Sequence, residues 1–186
     1  VSRTQTVDSK GDTLESRSTY FYDNPSWLNA TVRTALEDKN MLNTVLEQES
    51  YEAGVKLSTL RNGYNPSVIS YLPVEVSTAI GANVLEPRVR YHAYDVYGNP
   101  IEVSQEDGMH ITDIWGYSNT LPVAKIDNAT YTQVIQALGT TPILENRGLT
   151  QAEEDLLRGI GGAMVTTIDY KWGVGIKSQT DPNGLI

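Results

Sequence analysis

Cysteine is absent from this sequence of 186 residues. The chain therefore has no disulfide framework, no cysteine-based zinc site and no cysteine nucleophile. No apolar run approaches the ~18 residues of a membrane-spanning helix. The motifs H-E-x-x-H and G-x-S-x-G, which mark metalloproteases and serine hydrolases, are missing as well. These absences argue against the enzyme classes that depend on a cysteine nucleophile or on one of these two motifs.

Basic residues are scarce. Lysine and arginine number 14 against 23 aspartate and glutamate residues, so the net charge is −9. Phosphate binding needs a basic face, which argues against nucleic acid as the main partner. The same charge argues against binding to an anionic membrane surface.

The residues that are abundant favour strands and turns. The chain has 11 tyrosines, a single phenylalanine and 15 glycines, and threonine and valine are frequent. Tyrosine, threonine and valine suit pleated strands, and glycine suits turns. The composition therefore predicts a β-rich protein, either one domain with a core or a slice of something longer.

Both ends of the sequence favour the second interpretation, that the chain is a fragment of a longer protein. The chain begins at Val1 without a methionine or a signal-peptide pattern. Near the other end, the turn signal 181–184 is followed by only two residues, whereas a turn normally leads into a returning strand. We expect a fragment whose last strand is cut.

Local patterns divide the chain into four segments. For residues 1–67 the pattern predicts N-terminal hairpins, with a return strand over 13–23 and a helical stretch within 25–46. For residues 68–127 it predicts hairpin repeats, and for residues 128–165 a helical insertion with helices near 129–138 and 150–160. For residues 166–186 it predicts the truncated start of a further repeat. Within the insertion, Thr150 and Glu153 form a capping box.

Three short stretches in 68–126 resemble one another: each has a proline followed by valine or isoleucine, after a nearby tyrosine or tryptophan. The prolines are Pro73, Pro100 and Pro122. Proline at the head of a strand removes no needed N–H donor. A turn in each unit and a period near 22 residues predict stacked β-hairpins. If the units are equivalent, their aromatic rings pack inward at equivalent places; these are Tyr71, Tyr97, Trp115 and Tyr117.

The stretch 94–100, Tyr-Asp-Val-Tyr-Gly-Asn-Pro, resembles the Rhs/YD-repeat family. Units of that family have Tyr-Asp, two residues, then Gly, followed by a strand and an Asx-Gly turn, here at 107–108. The stretches 8–11, 20–23, 111–117, 122–130 and 180–184 resemble parts of the same family. Asn99-Pro100 departs from the common Arg-Leu, and the spacing is irregular. The repeat-motif residues are Tyr94, Asp95, Gly98, Pro100, Asp107, Gly108, Trp115, Pro122, Asp181 and Gly184.

The resemblance implies a bacterial, secreted or cell-surface scaffold. Family members are very long proteins whose repeats wind into a β-sheet shell, which in several members encloses a C-terminal toxin. Nothing in this chain resembles the toxin. The partners implied are the other repeats of the same polypeptide and an encapsulated C-terminal domain.

Chemistry-bearing residues are few, and structural roles explain them. His92 lies on a strand and His110 follows a turn, with no third ligand at a metal-site spacing. Acids 153–155 sit in the first turn of a helix, which favours them electrostatically. The Gly-rich stretch 159–162 lacks the Lys-Ser/Thr of a phosphate loop. We expect no catalytic residue, no metal and no cofactor.

These observations predict a mainly β fold: antiparallel hairpin repeats forming part of a larger β-sheet shell, with two or three short helices inserted. The predicted function is a non-catalytic scaffold segment that encloses or displays a toxin or effector. The alternative is a cell-surface module that binds glycan or protein through exposed aromatic rings.

Overall fold

A computed structural model describes residues 1–106, 108–142, 144–171 and 173–185. The chain divides into two compact units, unit 1 over Val1–Arg90 and unit 2 over Tyr91–Ile186. The described residues form eleven strands, three α-helices and one short 3-10 helix. Every recorded strand pair is antiparallel, so the predicted mainly β, antiparallel class with a few short helices is confirmed.

Unit 1 is built from strands that pair with their neighbours along the chain. They are β1 (Ser2–Val7), β2 (Thr13–Thr19), β3 (Glu47–Glu52), β4 (Val55–Tyr64), β5 (Pro73–Ile80) and the part of β6 (Glu86–Tyr94) up to Arg90. Between β2 and β3 lie the 3-10 helix Phe21–Asp23 and α1 (Ala30–Asp38). The β1–β2 register runs from Ser2 opposite Ser18 to Val7 opposite Thr13.

Unit 2 continues with the rest of β6 and five more strands. These are β7 (Pro100–Gln105), β8 (His110–Gly116), β9 (Leu121–Asp127), β10 (Met164–Lys171) and β11 (Gly175–Thr180). Two helices, α2 (Tyr131–Leu138) and α3 (Gln151–Arg158), lie between β9 and β10. Their positions match the helices predicted near 129–138 and 150–160. Among the described residues, no helix has both the length and the hydropathy of a membrane span.

Each unit has its own apolar core. Burial of these side chains is the main favourable term holding each unit together. The core of unit 1 contains Phe21, Leu28, Val32, Leu36 and Leu46. The core of unit 2 contains Ile114, Val123, Ala124, Ile126, Ala129, Val134, Leu144, Leu157 and Val165.

Helix boundaries follow the capping chemistry. The Thr150 hydroxyl accepts from the Glu153 N–H at 3.3 Å, and the Glu153 carboxylate accepts from the Thr150 N–H at 2.7 Å. The predicted capping box is therefore confirmed. Thr130 and Gln133 form a second capping box at the start of α2, and Gly139 ends that helix with a φ of 73°. Glycine adopts this left-handed conformation without a steric penalty.

One predicted strand, 13–23, is wrong in its last four residues. Strand β2 ends at Thr19, and the next residues turn into the 3-10 helix. The reason is Phe21, which is 4 % exposed and packs in the unit 1 core. Its two neighbours, Tyr20 and Tyr22, instead stack on each other with ring centroids 5.2 Å apart. The alternating aromatic residues predict a strand here, whereas a single buried ring sets the local fold.

Candidate functional site

The Tyr-Asp motif of the sequence forms a five-residue turn between β6 and β7. The Asp95 N–H donates to the Asn99 carbonyl at 2.9 Å, and Gly98 donates back to the Asp95 carbonyl at 3.2 Å. The Asp95 carboxylate oxygen Oδ1 accepts from the N–H groups of Tyr97 and Asn99 at 2.9 and 2.8 Å. Gly98 has a φ of 92°, which the turn requires and which glycine tolerates best.

Two other turns have the same hydrogen bonds. Asp8 Oδ1 accepts from the N–H groups of the second and fourth residues after it, at 2.8 and 2.9 Å. Asp181 Oδ1 does the same, with both distances 2.8 Å. The glycine three residues after each aspartate, Gly11 or Gly184, has a φ of 90° or 81°. One Asp-x-x-Gly turn thus recurs at three places 87 and 86 residues apart.

The predicted turn at 107–108 is related but lacks the aspartate. Asp107 lies outside the described residues. Gly108 has a φ of 82° and donates to the Gln105 carbonyl at 3.0 Å, while the Gln105 N–H donates to Met109. These two backbone hydrogen bonds match those of the Asp-x-x-Gly turns, with Gln105 at the position that aspartate holds elsewhere.

The prolines and aromatic residues of the repeat motif lie close to strand ends. Pro73 and Pro100 are the first residues of β5 and β7, and Pro122 is the second of β9. The Trp115 indole N–H donates to the Pro100 carbonyl at 2.9 Å, and Trp115 faces Pro122 in the β8–β9 register. The Tyr94 ring stacks on Tyr91 with centroids 5.5 Å apart.

The aromatic residues before the prolines are not equivalent. Tyr71 packs against the unit 1 core and Tyr117 against the unit 2 core. Tyr97, by contrast, is 72 % exposed. The expectation that all these rings pack inward is therefore wrong for Tyr97, because the Asp-x-x-Gly turn carries it out into solvent.

The turn between β8 and β9 is strained. Tyr117, Ser118 and Asn119 have φ values of 52°, 59° and 60°. Three consecutive non-glycine residues in the left-handed region cost about 1 kcal/mol each, somewhat less for asparagine. We call these residues the left-handed turn. Strain of this kind persists only where surrounding contacts determine the backbone.

Two sets of contacts hold the left-handed turn. On one side the Ser118 hydroxyl donates to the Glu145 carbonyl at 2.6 Å. On the other, the Asn119 side-chain amide donates to Asp95 Oδ2 at 2.8 Å, and the main-chain carbonyl of Asn119 accepts from the Asn99 side-chain amide at 2.7 Å. The Asp-x-x-Gly turn at 95–99 is thus tied to the left-handed turn through side-chain amides.

Beside these two turns lies a cleft of about 500 Å³ in unit 2. Strands β7 and β8 pair over Glu102–Ser104 and His110–Thr112. The residues that follow on β8, 113–115, line the cleft. We call it the β8 cleft. Its aromatic and polar lining includes Tyr94, Tyr97, Asp113, Trp115, Asn119 and Tyr131.

Two acids line the β8 cleft, Asp95 and Asp113, and the Asp95 carboxylate already accepts hydrogen bonds from its turn and from Asn119. Burial raises the pKa of the Asp113 carboxyl to about 6, with nearby Lys125 opposing the shift and Asp127 adding to it. Lys125 lies opposite Asp113 on β9, but its ammonium group donates to Asp127 at 2.5 Å. Among the described residues no hydrogen-bond donor satisfies Asp113. A half-buried carboxylate without a donor is suited to receive one from a ligand.

The two histidines form a separate cluster. Their rings stack with centroids 4.8 Å apart. His92 Nε2 contacts the Ser104 hydroxyl at 2.8 Å, and His110 Nδ1 contacts Glu102 at 2.6 Å. Ser104 is only 4 % exposed, so a substrate does not reach its hydroxyl. The acid also pairs with the histidine that does not contact the serine, unlike a nucleophile–base–acid relay.

Acidic side chains elsewhere have structural partners or are open to solvent. Glu153 pairs with Arg147 and caps α3. The pKa of the Glu153 carboxyl is lowered to about 2, mainly by the hydrogen bond from Arg147. Asp8, Asp12 and Glu52 bring three carboxylates within 4.8 Å of one another. Asp8 Oδ1 is already engaged by the backbone of its turn, and Asp12 and Glu52 are exposed, so we assign no metal to this trio.

Sequence reasoning named Trp115 and Asp95 but not Asp113, Asn119 or Tyr131. Asp113 lies between Thr112 and Ile114 on a strand, and this local sequence is only a weak signal that its carboxylate lines a cleft. Asn119 and Tyr131 reach the cleft only through tertiary contacts. No protein-family model matches this chain, and a search of curated proteins finds no match.

Proposed function

We propose that this chain is a structural, non-catalytic segment of a large secreted or cell-surface protein of the Rhs/YD-repeat type. The observation that carries the proposal is the recurrence of one Asp-x-x-Gly turn at Asp8, Asp95 and Asp181, with the same backbone and carboxylate hydrogen bonds. A turn of fixed geometry at the ends of strand pairs is what a hairpin-repeat scaffold requires.

The mechanism of such a scaffold is mechanical. Each hairpin pairs with its neighbour through main-chain hydrogen bonds, and the inserted helices bury their own side chains Val134 and Leu157 in the unit 2 core. The aspartate carboxylate fixes the turn by accepting two N–H groups that the strands cannot satisfy. Repetition of this unit extends a sheet that shields or displays another part of the same polypeptide, in this proposal a bacterial toxin or effector domain.

Burial also supports a role without catalysis. Among the described residues, the serine that contacts a histidine is only 4 % exposed, and the fully buried large side chains are apolar apart from Thr112. The favoured use of this architecture is therefore support of other domains.

Antibody labelling tests the location that the proposal requires. Antibodies raised against this chain are applied to intact and to permeabilised cells that produce the full-length protein, and to the culture medium. Labelling of intact cells, or recovery from the medium, is expected. Signal confined to permeabilised cells would contradict a secreted or surface scaffold.

A further inference from the structure

Unit 1 contains two arrangements in which an arginine lies between an aromatic ring and a carboxylate. The Arg61 guanidinium lies 4.3 Å from the centroid of the Trp27 ring, and its Nε donates to Glu47 at 2.7 Å. The Arg17 guanidinium lies 4.1 Å from the Tyr51 centroid and pairs with Glu15. Guanidinium groups suit such sites because they stack on rings and donate to carboxylates at the same time.

In the β8 cleft an aromatic ring and a carboxylate again lie near each other, but no arginine is among the residues described as lining it. Asp113 and Trp115 are two residues apart on β8 and both line the cleft, so their Cα atoms are about 6–7 Å apart along the strand. Trp115 is fixed by its hydrogen bond to Pro100. Within the described residues, all the cation–π contacts belong to unit 1, and no donor satisfies Asp113.

The net charge of unit 2 favours a cationic ligand for the β8 cleft. Unit 1 has nine basic and eleven acidic residues, a net charge of −2, while unit 2 has five basic and twelve acidic residues, a net charge of −7. Most of the acidic excess of the protein therefore lies in the unit that contains the cleft. Such a field attracts basic partners and raises their association rate.

We propose that the β8 cleft binds an arginine side chain of a partner peptide. The guanidinium stacks on Trp115 and donates to the Asp113 carboxylate, as Arg61 does with Trp27 and Glu47. The exposed Tyr97 covers the ligand from the adjacent turn, and the volume of about 500 Å³ accommodates the flanking peptide residues as well. This binding function is independent of the scaffold role proposed above.

An NMR titration of the ¹⁵N-labelled chain tests the proposal at the level of residues. Three probes are compared at about 0.15 M salt, where long-range attraction is screened: acetyl-Gly-Arg-Gly-amide, the same peptide with lysine, and the same peptide with citrulline, the neutral isostere of arginine. We expect saturable shifts at the Asp113 amide and the Trp115 indole with the arginine peptide, weaker binding of lysine, and no saturation with citrulline.

Two variants make the assignment specific. Asp113→Asn is expected to weaken the arginine peptide about tenfold, since it removes a charge-assisted hydrogen bond. Asp155→Asn removes the same charge from an exposed position of unit 2, and we expect it to change the affinity less than about twofold.

Several results would overturn the proposal. Equal binding of the arginine and citrulline peptides would show that charge plays no part. Equal binding of arginine and lysine would remove the guanidinium from the account. Saturation of the Trp115 indole by a neutral disaccharide such as chitobiose, with no response to the arginine peptide, would make the cleft a sugar site.

Discussion

Units 1 and 2 use the same side-chain chemistry in different ways. In unit 1 the rings of Trp27 and Tyr51 are covered by arginines of the same unit, each paired with a glutamate. In unit 2 the Trp115 ring and the Asp113 carboxylate line an open cleft beside a strained turn. The comparison shows that the chain contains aromatic rings and carboxylates that already hold an arginine of the same unit, and a ring and a carboxylate that hold none.

The largest effect is expected where unit 2 is most tightly packed. A Cβ on Gly116 would lie 2.7 Å from the Arg147 carbonyl oxygen and 2.7 Å from a Val123 methyl. Gly116→Ala should therefore lower the free energy of unfolding by about 2–3 kcal/mol. Urea denaturation measures this change. Gly161→Ala is the matched control, because a Cβ there meets no atom within 4 Å; similar losses in both variants would contradict the packing account.

The Asp-x-x-Gly turns of the two units should differ in what they contribute. Burial opposes ionisation of Asp95, but hydrogen bonds from Asn119 and Asn99 outweigh it and hold the pKa of Asp95 below its ordinary value. Among the described residues, the Asp8 carboxylate accepts hydrogen bonds only from its own turn. We expect Asp95→Ala to cost about 2–3 kcal/mol and Asp8→Ala about 1 kcal/mol, measured by thermal unfolding. Equal costs would show that the link to the left-handed turn contributes nothing.

The pH dependence of the free energy of unfolding should show how much the ionised Asp113 carboxylate destabilises the fold. The pKa of Asp113 is raised to about 6 from an ordinary value of 3.8, so the folded state holds the proton more tightly than the unfolded chain. Ionisation of Asp113 then destabilises the fold above pH 6, and this cost disappears as the pH falls to about 4. Asp113→Asn should stabilise the protein by about 1–3 kcal/mol at pH 7.5 and much less at pH 4.

Asp155→Asn is the control for this measurement, and its effect should be small at both pH values. A stabilisation by Asp113→Asn that does not depend on pH would contradict the burial of an ionised carboxylate in the cleft.

The smallest effect is expected at the exposed ring of the turn. Tyr97 is 72 % exposed, so Tyr97→Ala should change the midpoint of thermal unfolding by less than the equivalent of about 0.5 kcal/mol. Tyr71→Ala, in which the lost ring packs against the unit 1 core, should cost about 2 kcal/mol or more. Similar losses for both would restore the equivalence of the aromatic positions.

Sequence patterns predicted those elements whose causes are local. Thr150 and Glu153 are three residues apart, so their capping box marks the start of α3 without reference to the rest of the chain. Gly11, Gly98 and Gly184 likewise mark turns because each follows an aspartate at a fixed distance. Such features depend on a few neighbouring residues and the backbone conformations that they favour.

The features that were missed depend on distant contacts. Phe21 ends β2 because it reaches the core of unit 1, which its neighbours in sequence do not show. The left-handed turn contains no glycine or proline, and its conformation is held by Asp95 and Glu145 from other parts of unit 2. The β8 cleft is formed by residues from three separate stretches, so no pattern along the chain could assemble it.

Exchange of one Asp-x-x-Gly turn for another tests the repeat most directly. The triple variant S9V/K10Y/D12N gives the first turn the sequence of the turn at Asp95, with Asp8 and Gly11 kept. The control K10G/G11K keeps the composition but moves glycine away from the position with a φ of 90°. If the turns are interchangeable units of one scaffold, the triple variant should unfold within about 0.5 kcal/mol of the parent, while the control loses about 1–2 kcal/mol. Equal losses in the two variants would contradict the claim that this chain is built on a repeated turn.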